Sequence, residues 1–568
     1  MCSVDGFTGK HNFTLAQYAA FNADRGPDGT NYWQDDYVSI AHSLLSIQDN
    51  PNGSIQPLEK GNKVLSYNGE IYGIDSFDTE YLMDVLDTGN WSKLKYETNG
   101  MWGFSLYDKD AQTVTLCRDH LGVKALYYVI VGKDLFWSST MKPLIAVLQQ
   151  GQTKISSEHN YKHTLDFLDG FWLSPETQYG TIRRVPPGAI MTWSIKDGCW
   201  MNNDNLWGAG QRFNLEPNPQ WDVDEYRELM LKSMRETCHA PDIRKCVSLS
   251  GGLDSNLIVS MNRRTDNLFC SSVSFEDHVD HTTKVSLMKE HELAAKTCQM
   301  YGLDHTTTEI KKAFEHELDE TVTRIGGYMW LASRIIPRMR NAKNAAEHGA
   351  KIYIVGDLAD EILTGYSGHA WYGMSKENPR PRNNHFIDPY LTPWSKYEGF
   401  FDKHHQSHFK AWYPKHLHGT DHINNHMFWR LMQSVDSFNG LVDTLAGSFG
   451  MESRVPFMNQ ELVKYVMKIP SHHKLRTPNK QEIRAGHSVI KPPVEDHFDR
   501  DDANIHTGYY KRLIREDLCD WMPDHINNNV NKVGFSTPWN SRNHELNNRL
   551  RIDEADHSFK VLANTFQF

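Results

Sequence analysis

The sequence predicts an α/β protein of two domains, and three observations carry that prediction. The chain has 568 residues, enough for two or more domains, each with its own core. Up to about residue 200 it reads as short β-branched and aromatic runs separated by turn residues, whereas beyond residue 222 helical periods alternate with short apolar runs. Between them, 201–221 is polar and rich in Asn, Gly and Pro, the composition of a linker. The expected domains are therefore 1–200 and 222–568, joined by 201–221.

In the first domain the strand-like runs are Val38–Ala41, Lys63–Tyr67, Trp102–Tyr107, Thr113–Cys117, Ala125–Val131, Asp134–Ser138 and Ala189–Trp193. Strands of this length with Gly, Asp and Asn between them predict packed antiparallel sheets. In the second, helical patterns at Val223–Glu236, His291–Tyr301, Glu315–Arg324 and Arg334–His348 alternate with apolar runs at Cys246–Leu249, Leu268–Val273 and Lys351–Val355. That alternation predicts a parallel sheet covered by helices. The region 375–430 is rich in His, Asn and aromatics. With no converging carboxylate or Cys pattern it reads as a solvated insertion rather than a metal site.

Charge and composition narrow the function. Lys plus Arg is 60 and Asp plus Glu is 71, a net charge of −11, with no run of five like charges, so a nucleic acid partner bound through a basic stripe is not expected. No apolar stretch approaches a membrane span, and the first residues lack the basic and apolar regions of a secretory signal. Eight cysteines are scattered with no CxxC, which fits reduced thiols and a cytoplasmic location.

Two local patterns carry chemistry. Cys246-Val-Ser-Leu249-Ser250-Gly251-Gly252-Leu253-Asp254-Ser255 is a buried strand running through a glycine turn into a helix N-terminus. Backbone N–H groups and the helix dipole there make a cradle for an anion, and Asp254 can hold a cation that neutralises phosphate. There is no GxxxxGK[ST] and so no γ-phosphate loop of the common kind. The SGGxDS pattern resembles the PP-loop of the ATP pyrophosphatases, which cleave ATP between its α and β phosphates. The second pattern is Cys2 directly behind Met1. Removal of Met1 would leave a thiol beside a free α-amino group of suitable basicity. After it come Arg25-Gly-Pro-Asp28, Asn68-Gly69-Glu70-Ile71-Tyr72, Asp78 and Arg118-Asp119-His120-Leu-Gly-Val-Lys124, a series that resembles the class II, N-terminal-nucleophile glutamine amidotransferase domain.

With both patterns in one chain, and with Gly450-Met-Glu-Ser-Arg454-Val-Pro-Phe457 and Lys532-Val-Gly-Phe-Ser-Thr-Pro538, the sequence to about residue 540 resembles the glutamine-hydrolysing asparagine synthetase family. The resemblance implies an Ntn-type α+β sandwich of antiparallel sheets followed by a parallel α/β, adenine nucleotide α-hydrolase-like domain. It implies that Cys2 attacks the glutamine amide, that Asn68 and the Gly69 N–H form the oxyanion hole, and that Glu70 and Asp78 grip the substrate ammonium. In the second domain it implies nucleotide contacts from Leu249, Ser250, Gly251, Gly252, Asp254, Ser255, Val273 and Gly356, with Mg²⁺ on Asp254 and Asp360. Lys511 would stabilise transition-state charge, and Asp357 would take a proton from attacking ammonia. The implied substrates are glutamine or ammonia, aspartate and ATP, and a homodimer is an open assembly.

The chain also departs from the family. Val355-Gly356-Asp357-Leu358-Ala359-Asp360-Glu361 stands where the family has Ser-Gly-Glu-Gly-Ser-Asp-Glu, so the proton acceptor is one methylene shorter and Leu358 replaces a Gly. His42-Ser43-Leu44-Leu45-Ser46-Ile47 stands for His-x-Arg-Leu-Ser-Ile, so Leu44 replaces the Arg that takes the glutamine α-carboxylate. About 25 extra residues from Thr477 precede Lys511. Two other readings follow from these departures: an amidotransferase of the same architecture acting on a different carboxylate, and an idle paralogue that binds nucleotide or glutamine. The segment Arg118–Lys124 is expected to shape core and Arg454–Phe457 to hold a domain interface. Asp78 has the alternative of a helix N-cap.

Overall fold

The computed structural model describes residues 2–47, 55–150, 177, 179–206, 213–240, 242–275, 290–310, 315–327, 332–365, 417–418, 421–435, 440–475 and 511–528. The extra segment before Lys511, the Lys532–Pro538 pattern and most of the His-rich region lie outside them.

The first half contains β1 (Ser3–Thr8), β2 (Gly29–Gln34), β3 (Val38–Leu44), β4 (Leu58–Lys60), β5 (Lys63–Ile71), β6 (Gly100–Asp108), β7 (Thr113–Arg118), β8 (Tyr127–Val131), β9 (Asp134–Ser138), β10 (Arg183–Arg184), β11 (Ala189–Ser194) and β12 (Cys199–Asn205). Among the described residues they form two antiparallel sheets, in the orders β10-β8-β9-β1-β3-β2 and β12-β11-β7-β6-β5-β4. The sheets stack with Val4, Ile40 and Trp137 of one against Val64, Val114 and Trp193 of the other, all buried. β1 is absent from the expected strands because its sequence, Ser-Val-Asp-Gly-Phe-Thr, carries no apolar alternation, yet all six residues are buried. Its polar groups are satisfied inside the sandwich. Asp5 accepts from Ser3 Oγ at 2.6 Å and from Asn22 Nδ2 at 2.8 Å, and the Val4 N–H donates to Ser139 Oγ at 2.9 Å. β12 crosses the expected boundary at residue 200, running five residues into the polar 201–221 segment.

Among the described residues the rest of the chain has a short parallel pair, β13 (Phe213–Asn214) with β18 (Leu417–His418), and a separate five-stranded parallel sheet. That sheet is built from β14 (Lys245–Ser248), β15 (Leu268–Phe275), β16 (Asp304–Ile310), β17 (Ile352–Ile354) and β19 (Glu452–Arg454), in the order β16-β15-β14-β17-β19. The expected apolar runs become β14, β15 and β17, and the expected helices become Val223–Cys238, Glu290–Tyr301, Glu315–Ile325 and Ala332–Glu347. Asp222 starts the first of these, accepting from the Asp224 and Glu225 N–H groups at 2.8 and 3.0 Å. β16 and β19 are the strands that hydrophobicity does not announce. β16 is a Thr-rich edge with one buried residue, and β19 is Glu-Ser-Arg, buried whole because its charges are paired. The chain is thus α/β, with antiparallel sheets first and a parallel sheet second. All eight cysteines are free thiols, and among the described residues no helix is long and apolar enough to cross a membrane.

Candidate active sites

The first site gathers where the two antiparallel sheets face each other. Cys2 immediately precedes β1, which packs on β5 across the sandwich. Its Sγ lies 3.8 Å from the Leu45 carbonyl, and its own carbonyl accepts from Arg25 Nε at 3.4 Å. Burial pushes the Cys2 thiol up, so a base is needed to make the thiolate.

Asn68 and Gly69 lie on β5 opposite Gly103 and Trp102 of β6. The Asn68 side chain is buried, and neither its nitrogen nor its oxygen has a hydrogen-bond partner among the described residues. Leaving one such group unpaired costs about 1–3 kcal/mol. Gly69 has no room for a side chain: a Cβ would come within 2.2 Å of the Met101 carbonyl. Glu70 accepts from the buried Arg454 at 2.9 Å. Asp78 is not an N-cap. It is the first residue of the helix Asp78–Asp87, capped by Phe77 without a side-chain bond, and its carboxylate turns back to the Ile71 N–H at 3.0 Å and the Tyr67 hydroxyl at 3.4 Å. Burial, reinforced by the nearby Glu70 charge, raises its carboxyl to about 8. A carboxyl held that high gains most by meeting a cation.

Leu44 ends β3, half-buried, opposite Gly29. Two residues on, the Ser46 carbonyl accepts from Lys351 Nζ at 3.3 Å, and the same ammonium reaches Asp28 at 3.3 Å.

Sequence reasoning missed the ionic cluster that joins this site to the second half. Arg454, at the end of β19, bonds Glu452 at 2.8 Å through Nε and Glu70 at 2.9 Å through its other arm. Lys124 lies 3.6 Å from Glu452 and 3.7 Å from Asp443, and Arg25 donates to Asp443 at 3.1 Å. Burial resists the charge on Glu452, but Lys124 and Arg454 overcome it and bring its carboxyl down to about 2. The signal was in the sequence as Arg25-Gly-Pro-Asp, Lys124 and Glu452-Ser-Arg454, but nothing there says that they meet. Arg118 and Asp119, by contrast, bind backbone groups, mostly of their own turn, with Val185 and Trp102 from neighbouring segments. Arg118 donates to the Gly122, Lys124 and Val185 carbonyls, and Asp119 accepts from four backbone N–H groups.

The second site lies at the C-terminal edge of the parallel sheet, where open α/β sheets bind ligands. β14 ends at Ser248, and Leu249 is held between Ser271, whose carbonyl takes its N–H at 2.9 Å, and Ser272, whose hydroxyl donates to its carbonyl at 2.8 Å. Val273 follows on β15, half-buried. The loop then folds on itself. Ser250 N–H donates to Ser255 Oγ at 3.1 Å, Gly252 N–H to Ser250 Oγ at 3.1 Å, and the Asn256 amide bonds the Ser250 and Gly252 carbonyls at 2.8 and 2.7 Å. Tying the carbonyls inward leaves the turn and the uncapped start of the Leu253–Asn262 helix to present positive potential outward. A Cβ on Gly251 would press on Glu290 and Leu293 at about 3 Å. Gly356 brings the loop after β17 against Asp254 Cβ and the Ser255 N–H.

Lys511 Nζ bonds both oxygens of Asp254 at 2.5 Å and pairs with Asp360. Burial opposes its charge, and the two carboxylates outweigh that and hold its ammonium above the ordinary lysine pKa. Two carboxylates that converge on one cation suit a divalent ion completed by phosphate and water oxygens. Among the described residues no group of three or more His, Cys, Asp and Glu could hold a metal alone. Asp357 lies apart from this pair. Both its oxygens accept from Arg338, each at 2.9 Å. The next residue, Leu358, sits buried at φ 67°, where the family's glycine would be relaxed and leucine is strained by about 1–2 kcal/mol.

Comparison with known proteins agrees with both halves. Residues 225–558 match the family described as asparagine synthase, and residues 1–83 and 74–202 match the glutamine amidotransferase domain. The chain is similar to "Asparagine synthetase [glutamine-hydrolyzing] 3" of Bacillus subtilis, 23% identical over 85% of this chain and 83% of the relative. It is also similar to "Amidase chry2" of Gibberella zeae, 22% identical over 84% and 82%. Among solved structures, a glutamine phosphoribosylpyrophosphate amidotransferase from B. subtilis with ADP and GMP covers 62% of this chain and 81% of its own, at 12% identity and a TM-score of 0.26.

Proposed function

The chain belongs to the asparagine synthase family, and we propose that it is a glutamine-hydrolysing amidotransferase whose product is asparagine. In this reading the Cys2 thiol gives its proton to the α-amino group exposed by removal of Met1 and attacks the glutamine side-chain carbonyl. The oxyanion is met by the Asn68 amide and the Gly69 N–H, while Glu70 and Asp78 hold the substrate ammonium. Ammonia leaves, and water releases glutamate from the thioester.

At the parallel sheet, Leu249 and Val273 flank the adenine, and Ser250, Gly251, Gly252, Ser255 and Gly356 surround the phosphates. Asp254 and Asp360 would hold Mg²⁺, whose charge offsets that of the polyphosphate. The aspartate β-carboxylate attacks the α-phosphorus and pyrophosphate departs. Lys511 stabilises the anionic transition state. Ammonia passing through the interior then displaces AMP, so that one glutamine, one aspartate and one ATP give asparagine, glutamate, AMP and pyrophosphate. The division into a glutaminase domain of about 200 residues and a synthetase domain from residue 222 belongs to this proposal.

One observation carries the reading. Arg454, on the edge strand of the parallel sheet that carries the phosphate turn, bonds Glu70 beside the Asn68 amide, which has no partner among the described residues, so the two halves of the proposed enzyme share an ionic contact. The test is Cys2→Ala. Glutamine-dependent asparagine formation should vanish while ammonia-dependent formation persists, and equal loss of both would refute the two-site assignment. A second reading, a different acceptor carboxylate, is favoured by Leu358 and by Asp357 in its pairing with Arg338. Pyrophosphate release against a panel of carboxylic acids separates the two.

A further inference from the structure

One face of the helix Glu290–Tyr301 packs against the phosphate turn. Leu293 stands where a side chain on Gly251 would press, at 3.0 Å, and Thr297, one turn further along the same face, reaches Asn256 in the helix that follows the turn. Thr297 Oγ1 lies 2.7 Å from Asn256 Oδ1, 3.2 Å from the Leu293 carbonyl and 3.1 Å from His525 Nε2. Asn256 Nδ2 lies 2.8 and 2.7 Å from the Ser250 and Gly252 carbonyl oxygens. Asn256 and Thr297 are both wholly buried.

Each proton in this chain has one direction. Carbonyl oxygens only accept, so the Asn256 amide must turn its nitrogen, with both protons, to Ser250 and Gly252, and its oxygen to Thr297. That oxygen also only accepts, so the Thr297 hydroxyl proton goes to Asn256, the shorter of its two acceptor contacts. The hydroxyl oxygen is then left to accept, and His525 Nε2, whose other neighbour is the Leu293 carbonyl at 3.4 Å, is the donor. The order runs from His525 to Thr297 to Asn256 to two carbonyls of the turn, and hydrogen bonds in series polarise one another.

In a trans peptide the C=O and the following N–H point opposite ways. Drawing the Ser250 and Gly252 carbonyls to Asn256 therefore turns the Gly251 and Leu253 N–H groups away from it. Among the described residues neither of these N–H groups donates to another group. The segment 511–528 thus holds the turn twice. Lys511 bonds Asp254 directly, and His525 acts through Thr297 on Asn256, two residues further on.

We propose that Asn256 and Thr297 are positioning residues of the phosphate turn, with His525 as their outer anchor, and that together they aim the Gly251 and Leu253 N–H groups at the polyphosphate of the nucleotide. This rests on the ATP-dependent amidotransferase reading above and deepens it. The three residues touch no substrate themselves; they fix the peptide planes that do.

The experiment measures the KM of ATP and of the acceptor for the full chain, with Mg²⁺, ammonia and a panel of carboxylic acids that includes aspartate. Glutamine hydrolysis serves as the control for folding. Thr297→Val keeps the shape of the side chain and removes the proton that Asn256 receives. With the acid that supports wild-type turnover, it should raise the KM of ATP at least about tenfold and leave the KM of that acid in place, and Thr297→Ser should restore the wild-type value. Asn256→Ala should raise the KM of ATP further. Adding Thr297→Val to Asn256→Ala should then change little, because the hydroxyl has no amide left to orient. His525→Phe should raise the same KM about two- to tenfold, and His525→Gln, which keeps an N–H donor, should stay near wild type. This pair carries the test if Thr297→Val also loses glutamine hydrolysis. An unchanged KM of ATP in Thr297→Val or His525→Phe would overturn the assignment, as would an acceptor KM that rises in step with it. So would a Thr297→Ser variant no better than Thr297→Val, or full additivity in the double variant. A wild type that forms AMP with no acid would overturn the amidotransferase reading and this one together, a result distinct from the others.

Discussion

The two sites solve opposite problems with their polar groups. Around Cys2 the structure leaves groups wanting: among the described residues the Asn68 amide has no hydrogen-bond partner, and burial together with the nearby Glu70 charge raises the Asp78 carboxyl to about 8. Around Asp254 it leaves little wanting, since Lys511 neutralises two carboxylates, Arg338 closes on Asp357, and the serines of the turn bond one another. A pocket with orphaned donors is preorganised for a charge that appears only during reaction, and it changes little when substrate arrives. Under the proposed function, a pocket whose charges pair internally exchanges some of those pairs for nucleotide and metal, so binding there rearranges it.

The comparison fails most visibly if Asp254 is only structural. Asp254→Asn keeps the volume and removes one of the two charges that Lys511 bridges. Under the proposed function it should cost several kcal/mol of charge stabilisation, about three orders of magnitude in pyrophosphate release, while glutamine hydrolysis survives. Unchanged ATP turnover at saturating Mg²⁺ would show that the paired cluster is a structural strut.

The opposite half is tested by Asn68→Ala. Removing an oxyanion donor should lower kcat for glutamine hydrolysis by about 10²- to 10³-fold with a smaller change in KM. Because the amide has no partner among the described residues, folding stability should hold or rise, which thermal unfolding would report. A loss of stability without a loss of kcat would mean that the amide has a structural partner instead.

A smaller effect sharpens what the first site lacks. Leu44→Arg supplies a charge-assisted bond of about 1.5–3 kcal/mol to the glutamine α-carboxylate, so KM for glutamine should fall roughly 10- to 150-fold with ammonia-dependent activity unchanged. Lys351, which already reaches the Ser46 carbonyl two residues on, is the competing anchor. If it serves, the wild-type KM will be low and Leu44→Arg will worsen it.

Much of this was legible in the sequence because it depends on neighbours along the chain. β14 and the turn into the Leu253–Asn262 helix follow from an apolar run, two glycines and a helix start. The helices follow from their 3.6-residue period, since a buried stripe must recur at that interval. Asn68 and Gly69 are singled out through the family resemblance of the Asn68-Gly69-Glu70-Ile71-Tyr72 run, which is itself a pattern of chain neighbours.

Other features were settled only by the tertiary structure. β1 and β19 are polar and central, and they form because Asn22, Ser139, Lys124 and Glu70 arrive from distant parts of the chain to satisfy them. Asp78 as a residue paired with Ile71 rather than a cap, Arg454 as a link to Glu70, and Arg338 as the partner of Asp357 are likewise contacts between segments. Local periodicity says which face of an element is buried. It does not say which charge will be waiting there, because an ion pair is fixed by three-dimensional proximity and by the cost of burying either member alone.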